Sequence, residues 1–96
     1  MYYIAYTKRA LKDIKLLKRN CLEQRAKELI GILERDPFEV PPPYEKLKRD
    51  LAGAYSRRIN YQHRLVYEVV NGCIDVAGVS YEGYINILRM WTHYDI

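Results

Sequence analysis

The chain contains no apolar run approaching the ~18 residues a membrane-crossing helix needs. Lys8 and Arg9 interrupt its start before a secretory leader's apolar segment could be completed. Both absences point to a cytoplasmic protein with no membrane partner. Cysteine is scarce as well: Cys21 and Cys73 fit neither a disulfide framework nor a zinc spacing. They are expected as small buried hydrophobes in a reducing compartment. Two histidines, His63 and His93, with scattered acids give no metal-ligand cluster, so neither metal nor cofactor is expected. Proline occurs only at Pro37 and Pro41-Pro42-Pro43, which leaves Phe38 to Tyr44 as a single stiff, extended connector. No repeat or low-complexity tail is present, and residues 1–96 are expected to form one domain. A chain of this size buries ~60–70% of its unfolded surface, enough for one modest core.

What the chain has in excess is positive charge. The formal net charge is +4, and Lys46 to Arg64 holds six Lys or Arg against one acid, Asp50. Such a patch favours phosphates over neutral ligands, the plain alternative being a solvated basic face.

Periodicity divides the chain into a helical and a strand-rich half. Tyr2 to Tyr6 is β-prone, and Thr7 can cap a helix whose stripe is Ala10, Leu11, Ile14 and Leu17. Asn20, with Glu23 three residues on, resembles the cap of a second helix that buries Leu22, Ala26, Leu29, Ile30 and Leu33. Asp36-Pro37 ends it. Strand signals follow at Tyr55–Ile59, His63–Val70 and Tyr84–Tyr94. This is an α+β pattern, β-α-α-β-β-β, with an antiparallel helix pair on one sheet face. Alternation puts Leu65, Tyr67 and Val69 on one face and Arg64, Val66 and Glu68 on the other. His63 falls with Leu65 and is better read as structural. Asn71-Gly72 and Glu82-Gly83 are both turn signals. A single hairpin pairing the flanks of 71–83, with 71–83 an excursion beyond the sheet, would keep Arg64 and His93 at one end.

Residue types near the basic patch suit metal-free RNA cleavage. That reaction needs a base for the 2′-OH proton, an acid for the leaving 5′-oxygen and cations for the phosphorane. Glu45 is the candidate base, since nearby arginines favour an ionised carboxylate. His93 is the candidate acid. Arg64 and Arg58 offer planar donor forks for phosphate, and Lys48 a point charge. Each has a bland rival: Glu45 could balance Lys46 and Lys48, and His93 could be a surface residue. Most of the ten tyrosines are simpler as half-buried strand residues, Tyr94 beside His93 being the exception. Trp91 alternates onto the side of His93 and Arg89.

Several segments, in order, resemble bacterial toxins of the YoeB/Txe family within the RelE/ParE superfamily. They are Asp36-Pro37-Phe38-Glu39, Tyr44-Glu45-Lys46-Leu47-Lys48, Leu51-Ala52-Gly53-Ala54-Tyr55-Ser56-Arg57-Arg58-Ile59, His63-Arg64-Leu65-Val66-Tyr67 and Leu88-Arg89-Met90-Trp91-Thr92-His93-Tyr94. The resemblance implies a RelE-like fold: two N-terminal helices on a small, mainly antiparallel twisted sheet. It implies a ribosome-dependent mRNA endonuclease acting in the ribosomal A site, inhibited by a YefM/Phd-type antitoxin, with homodimerisation a family trait. By resemblance the catalytic residues are Glu45, Arg64 and His93, and the RNA-binding residues Lys48, Arg58 and Tyr94. The 71–83 connection is longer than such toxins usually carry, and Asp95-Ile96 extends past the tyrosine. Two other readings stand beside this one. A ParE-like gyrase inhibitor needs no acid and base, and a non-cleaving RNA-binding relative would show only steeply salt-dependent affinity.

Overall fold

Thr7 starts the first helix as its position suggests. Its Oγ1 accepts the Ala10 N–H at 3.1 Å and donates to the Leu88 carbonyl at 2.9 Å, tying the helix start to the last strand. The computed structural model describes residues 1–48 and 52–90. Its elements are β1 (Tyr3–Tyr6), α1 (Lys8–Arg19), α2 (Glu23–Arg35), β2 (Glu45–Lys46), β3 (Ala54–Arg58), β4 (Arg64–Val76) and β5 (Val79–Arg89). They form an α+β fold with one sheet in the order β1-β5-β4-β3-β2. β1 runs parallel to β5 and the other pairs are antiparallel. The order matches expectation with one addition. β2 has only two residues, too few for a sequence pattern to register.

The second helix begins differently from its sequence signal. Asn20 closes α1 instead, its Nδ2 donating to the Leu16 carbonyl at 2.8 Å. Leu22 stands at the N-cap of α2 without a side-chain cap. The chain must reverse within a few residues here, and Cys21 does so with a φ of 59°. Asn20 is thereby committed to the end of the first helix, its backbone N–H reaching the same Leu16 carbonyl at 3.2 Å, rather than to the next one. Both cysteines are exposed, contrary to expectation, because Cys21 sits in this turn and Cys73 on an outlying part of β4.

The helices lie on one face of the sheet. Leu17, Leu29 and Leu33 pack there against Ile59, Leu65, Tyr67, Ile85 and Ile87 in the main core. The opposite face holds a smaller cluster of Leu47, Ala54 and Val66, with Leu88 against it. The alternation expected for 64–69 therefore holds.

A single hairpin does join β4 to β5, but 71–83 is no irregular excursion. Both strands continue as a ribbon to a tight turn at Ala77-Gly78, whose φ angles are 51° and 82°. Asn71-Gly72 is a bulge rather than a turn. Asn71 faces Gly83 and Ile74 faces Tyr81, leaving one surplus residue on β4. An Asn-Gly pair tolerates the backbone of either feature, so sequence alone does not separate them. At the other end Val66 faces Arg89, so the start of β4 and the end of β5 lie together. The connector between α2 and β2 bends at Val40–Pro42 rather than running straight.

Candidate active site

The open sheet face gathers the candidates through strand register. Glu45 faces Ser56 across β2 and β3, and Arg58 faces Arg64 across β3 and β4. Directly opposed residues share a face, so Glu45, Ser56, Arg58 and Arg64 all lie on the side away from the helices. Arg64 Nη1 donates to Ser56 Oγ at 3.0 Å and stands 3.3 Å from Glu45 Oε1. The arginine side chain is only 13% exposed, whereas the glutamate is 46% exposed. With the carboxylate this open to water, the ion pair adds about 0–1 kcal/mol to stability. It is better suited to chemistry: a largely desolvated guanidinium attracts phosphate strongly, and the carboxylate beside it remains reachable. Leu47, Ala54, Val66 and Leu88 floor this face with apolar atoms.

Arg58 and Lys48 are both exposed, on β3 and just beyond Leu47 respectively. Ser56 was not among the expected site residues, although the alternation that selects Arg58 and Arg64 also selects it. It is completely buried and its hydroxyl fixes one arm of the Arg64 fork. His63 belongs to the turn before β4, as its structural reading implied. Its N–H donates to Asn60 Oδ1 at 2.8 Å, and its carbonyl accepts the Ile59 N–H at 2.9 Å. His93, Tyr94 and Trp91 lie outside the described residues.

At the end of β5 Arg89 follows Ile85 and Ile87 in alternation and reaches the helices. There its Nε donates to Asp13 Oδ2 of α1 at 2.9 Å, and the Met90 N–H donates to the same oxygen at 2.9 Å. Asp13 is 4% exposed and ties Arg89 and Met90 to α1. A shallow groove of about 480 Å³ lies on this helical side, lined by Tyr6, Ile14, Leu17, Ala26, Ile30 and Met90. Lys18, Glu23, Lys27 and Glu34 complete its lining, and it shares no residue with the Glu45–Arg64 pair.

Arg57 points the other way from Arg58 and is 1% exposed. Its Nη1 donates to the Pro42 carbonyl at 2.6 Å, its Nη2 to the Pro37 carbonyl at 2.9 Å and its Nε to the Tyr67 hydroxyl at 3.2 Å. Tyr67 in turn donates to the Pro37 carbonyl at 3.1 Å. Burial pushes the Tyr67 phenol above its ordinary value, and the hydrogen bond from Arg57 opposes this.

Known structures define the class first. A YoeB/ParE toxin from Agrobacterium tumefaciens superposes with a TM-score of 0.79 at 26% identity, covering 96% of this chain and 99% of that one. The YoeB toxin of Staphylococcus aureus, solved in complex with YefM, gives a TM-score of 0.73 at 32% identity over 98% of this chain and 99% of its own. The same toxin has also been solved as a dimer. The fold is thus that of the small RelE-like toxins. Within that class, the chain belongs to the YoeB-like toxin family of bacterial type II toxin–antitoxin systems, whose profile matches residues 6–94. The YoeB toxin of Synechocystis is 48% identical over 59 residues, which span 62% of this chain and 62% of that relative.

Proposed function

We propose that this toxin is a ribosome-dependent endoribonuclease that cuts mRNA in the ribosomal A site and is neutralised by a YefM-type antitoxin. The observation that carries the reading is the contact between Glu45 and Arg64, with Arg58 directly across from Arg64. Glu45 takes the proton of the 2′-OH as that oxygen attacks the adjacent phosphorus. Arg64 and Arg58 hold the phosphate oxygens as charge builds on the phosphorane, and Lys48 adds a cation to the RNA path. The P–O5′ bond then breaks, and His93 gives its proton to the departing oxygen. The products are a 2′,3′-cyclic phosphate and a 5′-hydroxyl. Tyr94 binds RNA beside His93. The reaction as written calls on no metal or cofactor.

The antitoxin reading draws on the YefM complex of the Staphylococcus relative, and homodimerisation on its dimer. An antitoxin segment folding over 45–64 would mask the phosphate site electrostatically. Mapping mRNA 5′ ends after induction tests the function. Cuts in register with codons are expected from the parent, and growth arrest should be relieved in Glu45→Gln, Arg64→Ala and His93→Gln. DNA-damage signalling without cuts would overturn the reading in favour of gyrase inhibition.

A further inference from the structure

We propose that Arg57, buried on the opposite side of the sheet from the site, is a positioning residue that holds Glu45 in place through the backbone of the connector. The proposal rests on the reading of Glu45 as the base. β2 is two residues long and lies at the sheet edge, so ladder bonds alone hold it weakly. Downstream it is anchored by Leu47, which is 6% exposed and whose N–H donates to the Ala54 carbonyl at 3.0 Å. Upstream its anchor is Arg57. That guanidinium grips the carbonyls of Pro37 and Pro42, the latter three residues before Glu45, and sits 5.3 Å from the centre of the Tyr44 ring, one residue before it.

The setting fits this role and no other evident one. The three donor contacts of Arg57 go to carbonyl and hydroxyl oxygens, so the cation is spent on fixing backbone rather than on balancing an acid. Around it Phe38, Tyr44, Tyr55 and Tyr67 pack edge to face or stacked with centroids 5.3–5.8 Å apart. These rings close the connector onto β3 and β4. Arg57 and Arg58 therefore divide the labour by strand alternation, one arranging the chain that carries the base and the other facing the substrate.

The test is Arg57→Lys. A lysine is a compact point donor that does not span the three acceptors of a planar fork. Single-turnover cleavage of ribosome-bound mRNA should fall by about 10–100-fold, the effect of a roughly ångström-scale misplacement of a reacting group. The ribosome concentration giving half-maximal rate should stay at the parental value. Hydrogen-exchange protection of the Leu47 amide should drop while that of core amides such as Leu65 and Ile85 persists. Tyr67→Phe, which keeps the ring and loses the hydroxyl, should show a smaller change in both readouts, and it carries the test if Arg57→Lys does not fold. Parental Leu47 protection with a parental rate per folded molecule would overturn the proposal. A parent that does not cleave at all overturns the function instead, and the Leu47 exchange measurement then decides the positioning role by itself.

Discussion

The helix-covered and open faces of the sheet are built from alternate residues of the same strands, yet they are finished in opposite ways. Under the helices Leu65, Tyr67, Ile85 and Ile87 are fully buried, and a cation on that side, Arg57, is held by three protein oxygens. On the open face a thin apolar floor of Leu47, Ala54 and Val66 supports Ser56, Glu45, Arg58 and Arg64. Neighbouring residues of like chemistry thus acquire different work from parity alone. Arg57 and Arg58 illustrate this most directly: the same side chain binds backbone carbonyls on one face and stands exposed on the other, where the proposed function gives it phosphate to hold.

Adjacent residues on opposite faces give the sharpest way to break this contrast. Leu65→Ala should cost about 2–5 kcal/mol, as expected for a fully buried leucine. Arg64→Ala should lower the unfolding free energy by about 1–3 kcal/mol, because it leaves the buried Ser56 hydroxyl without its partner, while removing cleavage. Parental cleavage per folded molecule in Arg64→Ala, or its loss in folded Leu65→Ala, would show that the faces are not functionally distinct. Gly83 probes the ribbon beyond the body. A Cβ there would run into the Val70 carbonyl, so Gly83→Ala should cost about 1–3 kcal/mol by forcing the strands apart. Thr7→Ala, which removes the cap of α1 and its bond to Leu88, should cost about 1 kcal/mol.

The smallest effect is electrostatic. The folded-state pKa of Tyr67 is raised above 10.0, so the folded protein keeps this proton at pH values where the unfolded chain has lost it. The contribution is fully present below the unfolded value and is lost as pH rises through the folded one. Alkaline unfolding of Tyr67→Phe should consequently show a shallower loss of stability above about pH 10 than the parent does. Tyr6, also raised by burial and then by Glu34, retains part of that slope in both proteins.

Much of this arrangement was legible in the sequence because period decides face. The stripe of Ala10 and Leu17 in α1, the run of Ala26, Leu29, Ile30 and Leu33 in α2, and the alternation through 64–69 all carry their burial in their spacing. Arg58 and Arg64 could be assigned a face for the same reason, whereas Glu45 entered through its chemistry and the resemblance, β2 being too short to carry a period. What escaped was tertiary. Alternation allows only one of Arg57 and Arg58 to face the site, but nothing local says what holds the other, because its acceptors at Pro37 and Pro42 come from a distant connector. Ser56 gains its role only when Arg64 folds back across the strands. Asn20 and Asn71 carry side chains suited to several turns and caps, and long-range pairing chose among them.

The central claim is that Glu45 and Arg64 form a cleavage centre on the open face. Single-turnover cleavage of ribosome-bound mRNA by the parent and by Glu45→Gln tests it most directly, with the 3′ ends of the products analysed chemically. The account predicts 2′,3′-cyclic phosphate ends from the parent and a rate about 10²–10⁴-fold lower for Glu45→Gln, with the fold unchanged. A Glu45→Gln protein that cleaves at the parental rate would contradict it.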